Sequence, residues 1–257
     1  MTYTALSLTL IFVCIPLLLS KTLKLGLEKD TLIATVRSIV QLLAVGYILK
    51  FVFNANSYSY IFLMVTLMIV VATFNARKKG AGIKGITWKI ALTLVAIEIV
   101  TQGVLLGFHI VPATAQYIIP ISGMLIGNSM VLSILFLNRF IAEITSHKDE
   151  MELILSLGGT PKQAVHRQLI SAIKASMIPT IESQKTIGLV QLPGMMSGQI
   201  IGGADPIQAV QFQLLIIFAL LTTATLSSIM IGFLSYPVLF NERMQIFNTT
   251  NTRGNKM

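Results

Sequence analysis

The chain has 257 residues, of which 54% are hydrophobic and only 11% charged. An ordinary soluble domain carries about 25% charged residues, so the composition excludes that class and indicates an integral membrane protein. The formal net charge of +9 would suggest nucleic acid in a soluble protein. Here the basic residues cluster in short segments between apolar blocks, so membrane orientation and anionic lipid account for them and no nucleic-acid partner is expected.

Seven apolar blocks follow in chain order, roughly 3–20, 32–53, 59–75, 88–108, 116–138, 180–202 and 207–240. A helix needs roughly 20 residues to cross a bilayer. The first block has no positive segment before it, which argues against a cleaved signal peptide. It holds the single cysteine, Cys14, so no intramolecular disulfide can form. Lys and Arg fill alternate connections: Lys21, Lys24 and Lys29 the first, Arg77, Lys78, Lys79 and Lys84 the third, Arg139 to Lys185 the long fifth, and Arg243, Arg253 and Lys256 the tail. The second, fourth and sixth connections contain none. By the positive-inside rule the N-terminus lies outside and the C-terminus in the cytoplasm, which favours seven spans over six. The expected architecture is all-α: one polytopic domain over 1–257 with about seven transmembrane helices.

Within the blocks, Arg37 and Gln41 lie four apart on one helix face, as do Glu98 and Gln102. Charges in hydrocarbon are expensive and face a cavity or a partner. Arg37 can snorkel towards the cytoplasmic end of its span, whereas Glu98, nearer mid-span, cannot do so easily. Glu98 therefore reads either as a cation-binding or proton-coupled group or as the structural partner of Arg37. Asn128 and Gln191 are further candidates for a transport path, or simply bond a neighbouring helix.

The fifth connection, about 139–179, contains SHKDEMELILSLGGTPKQAVHRQLI, from Ser146 to Ile170. It reads as two short helices. Ser146 with Asp149 makes one capping box and Thr160-Pro161-Lys162-Gln163 a second, with Gly158-Gly159 as the stop between them. Leu153, Ile154 and Leu157 share a face of the first helix. Glu152, followed by Gly158, Gly159, Thr160, Pro161 and Gln163, resembles the coupling helix by which ABC-importer permeases engage their ATPase. It departs from that pattern at Leu153-Ile154 and in the missing downstream Ile-x-Leu-Pro. The alternative is a plain amphipathic surface helix capped by glycines.

The sixth block, TIESQKTIGLVQLPGMMSGQIIGG, carries Pro193 with Gly194 and Gly198. Either it is a broken or re-entrant span that contributes a gate, or it is a kinked span packed closely through its spaced glycines. Met195 and Met196 offer thioethers to a soft metal or fill irregular apolar gaps. No two histidines are spaced as a metal pair on one helix face, so the metal ligands stay open. The chain contains no G-x-S-x-G, H-E-x-x-H or G-x-x-x-x-G-K-[ST] sequence, so neither enzyme chemistry nor a nucleotide site is expected.

Taken together, TVRSIVQLLAVGYIL (Thr35 to Leu49), ISGMLIGNSM (Ile121 to Met130), ELILSLGGTPKQAV (Glu152 to Val165) and IGLVQLPGMMSGQIIGGADPIQAVQFQ (Ile187 to Gln213) resemble the bacterial iron-export permease family, FetB-like, which includes plant membrane proteins of aluminium tolerance. The Pro-Gly-Met-Met-Ser-Gly-Gln block is the most specific part. The resemblance implies a half-size ABC permease of the cell membrane that binds no cofactor itself and pairs with a separately encoded P-loop ATPase carrying ATP and Mg. It also implies a homodimer and metal or metabolite export, with iron the bacterial expectation. In that reading Glu152, Leu153, Leu157, Gly158, Gly159, Thr160, Pro161 and Gln163 dock the ATPase. Glu98, Gln102, Asn128 and Gln191 line the path, with the Met195-Met196 turn in the gate. The alternatives are a gradient-driven transporter or channel and a non-transporting membrane sensor.

Overall fold

A computed structural model of the chain describes residues 9–55, 57–80 and 83–241. Among the described residues its regular structure is helical, apart from isolated bridge positions at Ile187, Gln191 and Phe240. The chain divides into two compact units, 1–57 and 58–257.

The first unit holds α1 (Ile11–Thr22) and α2 (Glu28–Ala55). Ser20 ties their junction together. Its hydroxyl donates to Glu28 Oε1 at 2.8 Å and accepts the Leu27 N–H at 3.2 Å. This anchors the start of α2 where a helix otherwise leaves unpaired N–H groups.

The second unit holds α3 (Tyr58–Ala76), a 3-10 turn (Arg77–Gly80), α4 (Ile86–Gly107), α5 (Ala115–Ser146), α6 (Lys148–Ser156), α7 (Pro161–Thr186), α8 (Gly194–Ile201), α9 (Pro206–Ser235) and a closing 3-10 turn (Tyr236–Leu239). The start of α9 is written in its sequence. Asp205 accepts from the N–H groups of Ile207 and Gln208 at 2.9 and 3.1 Å, and Pro206 occupies the first turn.

Helix α5 is the axis of this unit, with α3, α4, α7 and α9 packed around it. One core joins Phe136 and Phe140, stacked at 5.2 Å, with Ile90 and Leu94 of α4, Leu169 of α7 and Ile231 of α9. A second, nearer the start of α5, joins Ile121 and Leu125 with Leu105, Val111 and Ile216. Small and hydroxylated residues line the contacts. The Ser176 and Ser228 hydroxyls meet at 2.9 Å between α7 and α9, as expected where apolar driving force between helices is weak and close approach supplies the energy.

Five helices among the described residues are long and apolar enough to cross a membrane: α2, α3 extended to Gly80, α4, α5, and α9 extended to Leu239. The first apolar block is represented among these residues by the 12-residue α1. The sixth block is not one helix. Residues 180–186 end α7, 187–193 form a turn with Gly188 at φ +89°, and α8 follows with only eight residues. Gly188 adopts a left-handed conformation open to glycine, and Pro193 has no N–H to continue a ladder. Of the two sequence readings the break is the one found. Among the described residues nothing outside the local helix approaches within 4 Å of where a Cβ would stand on Gly194 or Gly198, so no close packing through these glycines is seen there.

Two expectations about the fifth connection need correction. Ser146 caps nothing: it is the last residue of α5, and α6 starts from His147 without a side-chain cap bond. Helix α5 runs past its apolar block because Phe140, Glu143 and Ile144 are buried at helical spacing. Nor is the second helix short. Ala164, Val165, Gln168, Leu169, Ala172 and Ser176 form a continuous buried stripe, which keeps α7 helical for 26 residues.

Candidate functional site

Two places in the second unit gather the residues singled out by sequence. The first is a polar cluster between α4 and α5. Glu98 lies near the middle of α4 and is 7% exposed. Its Oε1 accepts the Ser122 hydroxyl proton from α5. One turn along α4, Gln102 Nε2 donates to Ser122 Oγ at 2.8 Å. Ser122 thus sits between the two, wholly buried. Glu98 Oε2 and Gln102 Oε1 are buried without a hydrogen-bond donor. The i, i+4 pairing expected for Glu98 and Gln102 is real, but what joins them is a serine that sequence reasoning passed over.

The other path candidates are dispersed. Asn128, farther along α5, donates to Leu220 O and Thr223 Oγ1 of α9, both at 3.3 Å. It also lines a cavity of about 260 Å³ between α5, α7 and α9, together with Thr180, Ser183 and Gln184. Gln184 Nε2 donates to Ile217 O at 3.1 Å across the same space. Gln191 is exposed in the turn after α7, where its carbonyl accepts from Gly188 N at 3.0 Å. Met195 packs onto the second core, which favours its reading as a filler, and Met196 is half-buried. Pro193 ends the turn before α8. Arg37 and Gln41 belong to α2 of the first unit and are exposed there. Among the described residues no three His, Cys, Asp or Glu side chains converge as metal ligands.

The second place is the hairpin of α6 and α7. Leu155 and Gly158, and Ile154 and Gly159, close the end of α6: Gly158 N donates to Leu155 O at 3.0 Å and Gly159 N to Ile154 O at 2.9 Å. With Gly158 at φ +86°, this is a Schellman stop. Directly after it, Gln163 N donates to Thr160 Oγ1 at 3.3 Å and Thr160 N to Gln163 Oε1 at 2.8 Å, with Pro161 in the first turn. The capping box read from sequence is present. Arg167 and Glu150, 3.2 Å apart, add an exposed tie between the two helices.

Helix α6 divides its apolar residues between two directions, and Ile154 does not share the direction of Leu153 and Leu157. Met151 is fully buried in the main core, with Ile154 and Leu155 partly buried beside it. Leu153 and Leu157 point outward, 59% and 79% exposed. Glu152 immediately precedes Leu153 in sequence, is also exposed, and pairs with Lys148 at 3.4 Å.

A third group, absent from the sequence candidates, ties the hairpin to the bundle. Glu143, buried near the end of α5, is 2.7 Å from Arg139 and 3.4 Å from His147 Nδ1, and accepts from Ser171 Oγ of α7 at 3.1 Å. The signal available in sequence was its spacing of four from both Arg139 and His147.

Comparison with known proteins agrees with this architecture. The family model described as "Uncharacterised protein family (UPF0014)" matches residues 3–240. The "UPF0014 membrane protein YjkA" of Bacillus subtilis is 57% identical over 96% of this chain and 98% of its own. The "Probable iron export permease protein FetB" of Escherichia coli is 40% identical, covering 95% of each chain. "Protein ALUMINUM SENSITIVE 3" of Arabidopsis thaliana is 33% identical over 92% of this chain and 87% of its own. No solved structure matches. With five helices of spanning length and these relatives, the chain is a multi-pass membrane protein and belongs to the UPF0014 family.

Proposed function

We propose that the chain is the membrane permease subunit of an ATP-driven exporter, docking a separately encoded ATPase on the α6–α7 hairpin and moving a metal cation through the bundle of α4, α5, α7 and α9. The observation that carries this reading is the outward apolar pair Leu153 and Leu157 at the end of α6, where the Schellman stop and the capping box of α7 fix the corner. Two large apolar side chains beside a polar face are costly in water and suited to a protein partner. The relative named as a probable iron export permease makes iron the first cargo to test.

The distribution of charge supports an orientation. Within the second unit, Arg77, Lys78 and Lys79 flank the same core that Met151 and Ala164 of the hairpin enter. The connections 109–114 and 203–205 contain no Lys or Arg. The basic end would face the cytoplasm. Seven crossings follow if α1 with its preceding residues and the α7–α8 segment each traverse the membrane. The permease would work in the plasma membrane as a homodimer, with ATP and Mg held by the partner subunit.

The test is an affinity pull-down from gently solubilised native membranes, comparing wild type with Leu153→Asp/Leu157→Asp. Recovery of a soluble P-loop ATPase with wild type alone supports the reading. Equal absence of any ATPase from both, while reconstituted protein still moves iron down an ion gradient, would hand the function to a secondary transporter.

A further inference from the structure

We infer that Glu98, Ser122 and Gln102 form a binding site for a single hard divalent cation, held by one carboxylate and neutral oxygens with water completing its shell. The argument begins with the sign of what is unmet. Within this cluster the buried atoms without a hydrogen-bond partner, Glu98 Oε2 and Gln102 Oε1, are both acceptors. Unpaired acceptors call for a positive or proton-bearing group, so an anion is the wrong ligand. Within the second unit the polar partners of the Glu98 carboxylate are neutral, its hydrogen bond coming from the Ser122 hydroxyl. An ionised carboxylate buried in a bilayer core without a counter-charge costs several kcal/mol or more.

Geometry supplies the rest. Glu98 and Gln102 are one helical turn apart and project from the same face of α4. Ser122 bridges them from α5, and its position is fixed from both sides. Gln102 Nε2 is engaged with Ser122, which leaves its amide oxygen as the coordinating end. A further buried acceptor without a partner, Gln213 Oε1, lies on α9, the helix that packs against both α4 and α5. Carboxylate, amide and hydroxyl oxygens suit Mg, Ca or Mn-like ions, whereas tight transition-metal sites need nitrogen or sulfur. Among the described residues no such cluster is present. A site with a single carboxylate keeps part of the ion's water shell and releases the ion readily, as a transit site requires.

This inference rests on the transport reading only for the use of the site; binding itself is measured on the purified full-length permease without any ATPase. Mn²⁺ is the probe, titrated into detergent-solubilised protein and followed by the paramagnetic signal of the free ion. Wild type should bind one Mn²⁺ that Mg²⁺ displaces. Glu98→Gln should weaken binding at least tenfold, and Ser122→Ala and Gln102→Leu several-fold each, while thermal midpoints without metal stay near wild type. Unchanged Mn²⁺ binding in Glu98→Gln overturns the site. So does a wild-type protein whose stability responds to pH but not to Mn²⁺, since a proton then fills the place of the cation. Should Glu98→Gln not assemble, equal Mn²⁺ binding by wild type, Ser122→Ala and Gln102→Leu would overturn it instead. ATPase recovery in the pull-down is unaffected by these variants, so failure here is distinct from failure of the coupling reading.

Discussion

Gly232 of α9 and Leu169 of α7 touch so closely that a methyl group on the glycine would lie 2.9 Å from Leu169 Cδ1, with the Phe136 ring at 3.1 Å on its other side. Side chains of α7 and α5 thus press directly onto the backbone of α9 in the main core. Overpacking such a site forces side chains off their preferred rotamers or separates the helices. Gly232→Ala should destabilise the protein by about 1–3 kcal/mol, read as a lower midpoint in denaturant-induced unfolding in micelles. An unchanged midpoint would mean that the three helices are not in contact as described.

Met151 and its neighbours on α6 separate folding from docking. Met151 is wholly buried and Leu157 almost wholly exposed, although both are apolar residues of the same short stretch. Met151→Ala removes core packing and should cost about 2–5 kcal/mol. Leu153→Asp/Leu157→Asp should leave the unfolding midpoint within about 0.5 kcal/mol of wild type, as surface substitutions do. The same double variant should abolish ATPase recovery. Loss of stability in the outward pair, measured beside Met151→Ala, would assign those leucines to the core.

The corner between α6 and α7 depends on two small devices. Thr160→Ala removes a cap that accepts from Gln163 N and should cost about 1 kcal/mol. Gly158→Ala places a Cβ on a backbone at φ +86° and should cost a similar amount, about 1 kcal/mol. The two sit on opposite sides of one turn, so their effects should couple in a double-mutant cycle. Strict additivity in unfolding midpoints would show two independent helix ends instead of one corner.

Glu143 is the polar bond between that corner and the bundle. Glu143→Ala frees Arg139 and Ser171 at once and should cost about 2 kcal/mol, the range for a hydrogen-bonded charged group. Glu143→Gln keeps an acceptor for Ser171 and should recover part of the loss. Identical midpoints for the two variants would leave the ion pair with Arg139 as the sole contribution.

How much of this was legible in the sequence depends on which interaction sets each feature. The long apolar helices and the Thr160–Gln163 cap were readable because they are local: their determinants lie within a few residues of one another. The same holds for the stop at Gly158-Gly159. The end of α5 was not readable, because Arg139 closes the apolar block and the polar run 145–150 follows soon after, until Glu143 is seen buried against Ser171, 28 residues later. The inward turn of Ile154, away from Leu153 and Leu157, was not readable for a related reason. Five apolar residues among Met151 to Leu157 leave the inward direction undetermined until α7 is in place. Ser122 was passed over because a serine in a span carries little information by itself; only its placement opposite Glu98 and Gln102 gives it a role. The break after α7 was one of two open readings, and Gly188, which the sequence did not single out, takes the conformation that makes it.

The Schellman stop and the capping box have a mechanical consequence when they are joined to the length of α7. The corner is fixed on both sides, and the helix leaving it runs without a proline until Pro179. From Pro161 to Pro179 that arm measures about 27 Å at the usual rise per residue. A tilt of roughly 5° at the corner would therefore carry the far end through about 2 Å, by the geometry of the helix alone. That end borders the cavity lined by Asn128 and Gln184. If an ATPase docks on this hairpin as proposed, a small push at the surface would become a displacement of side-chain size at mid-bundle.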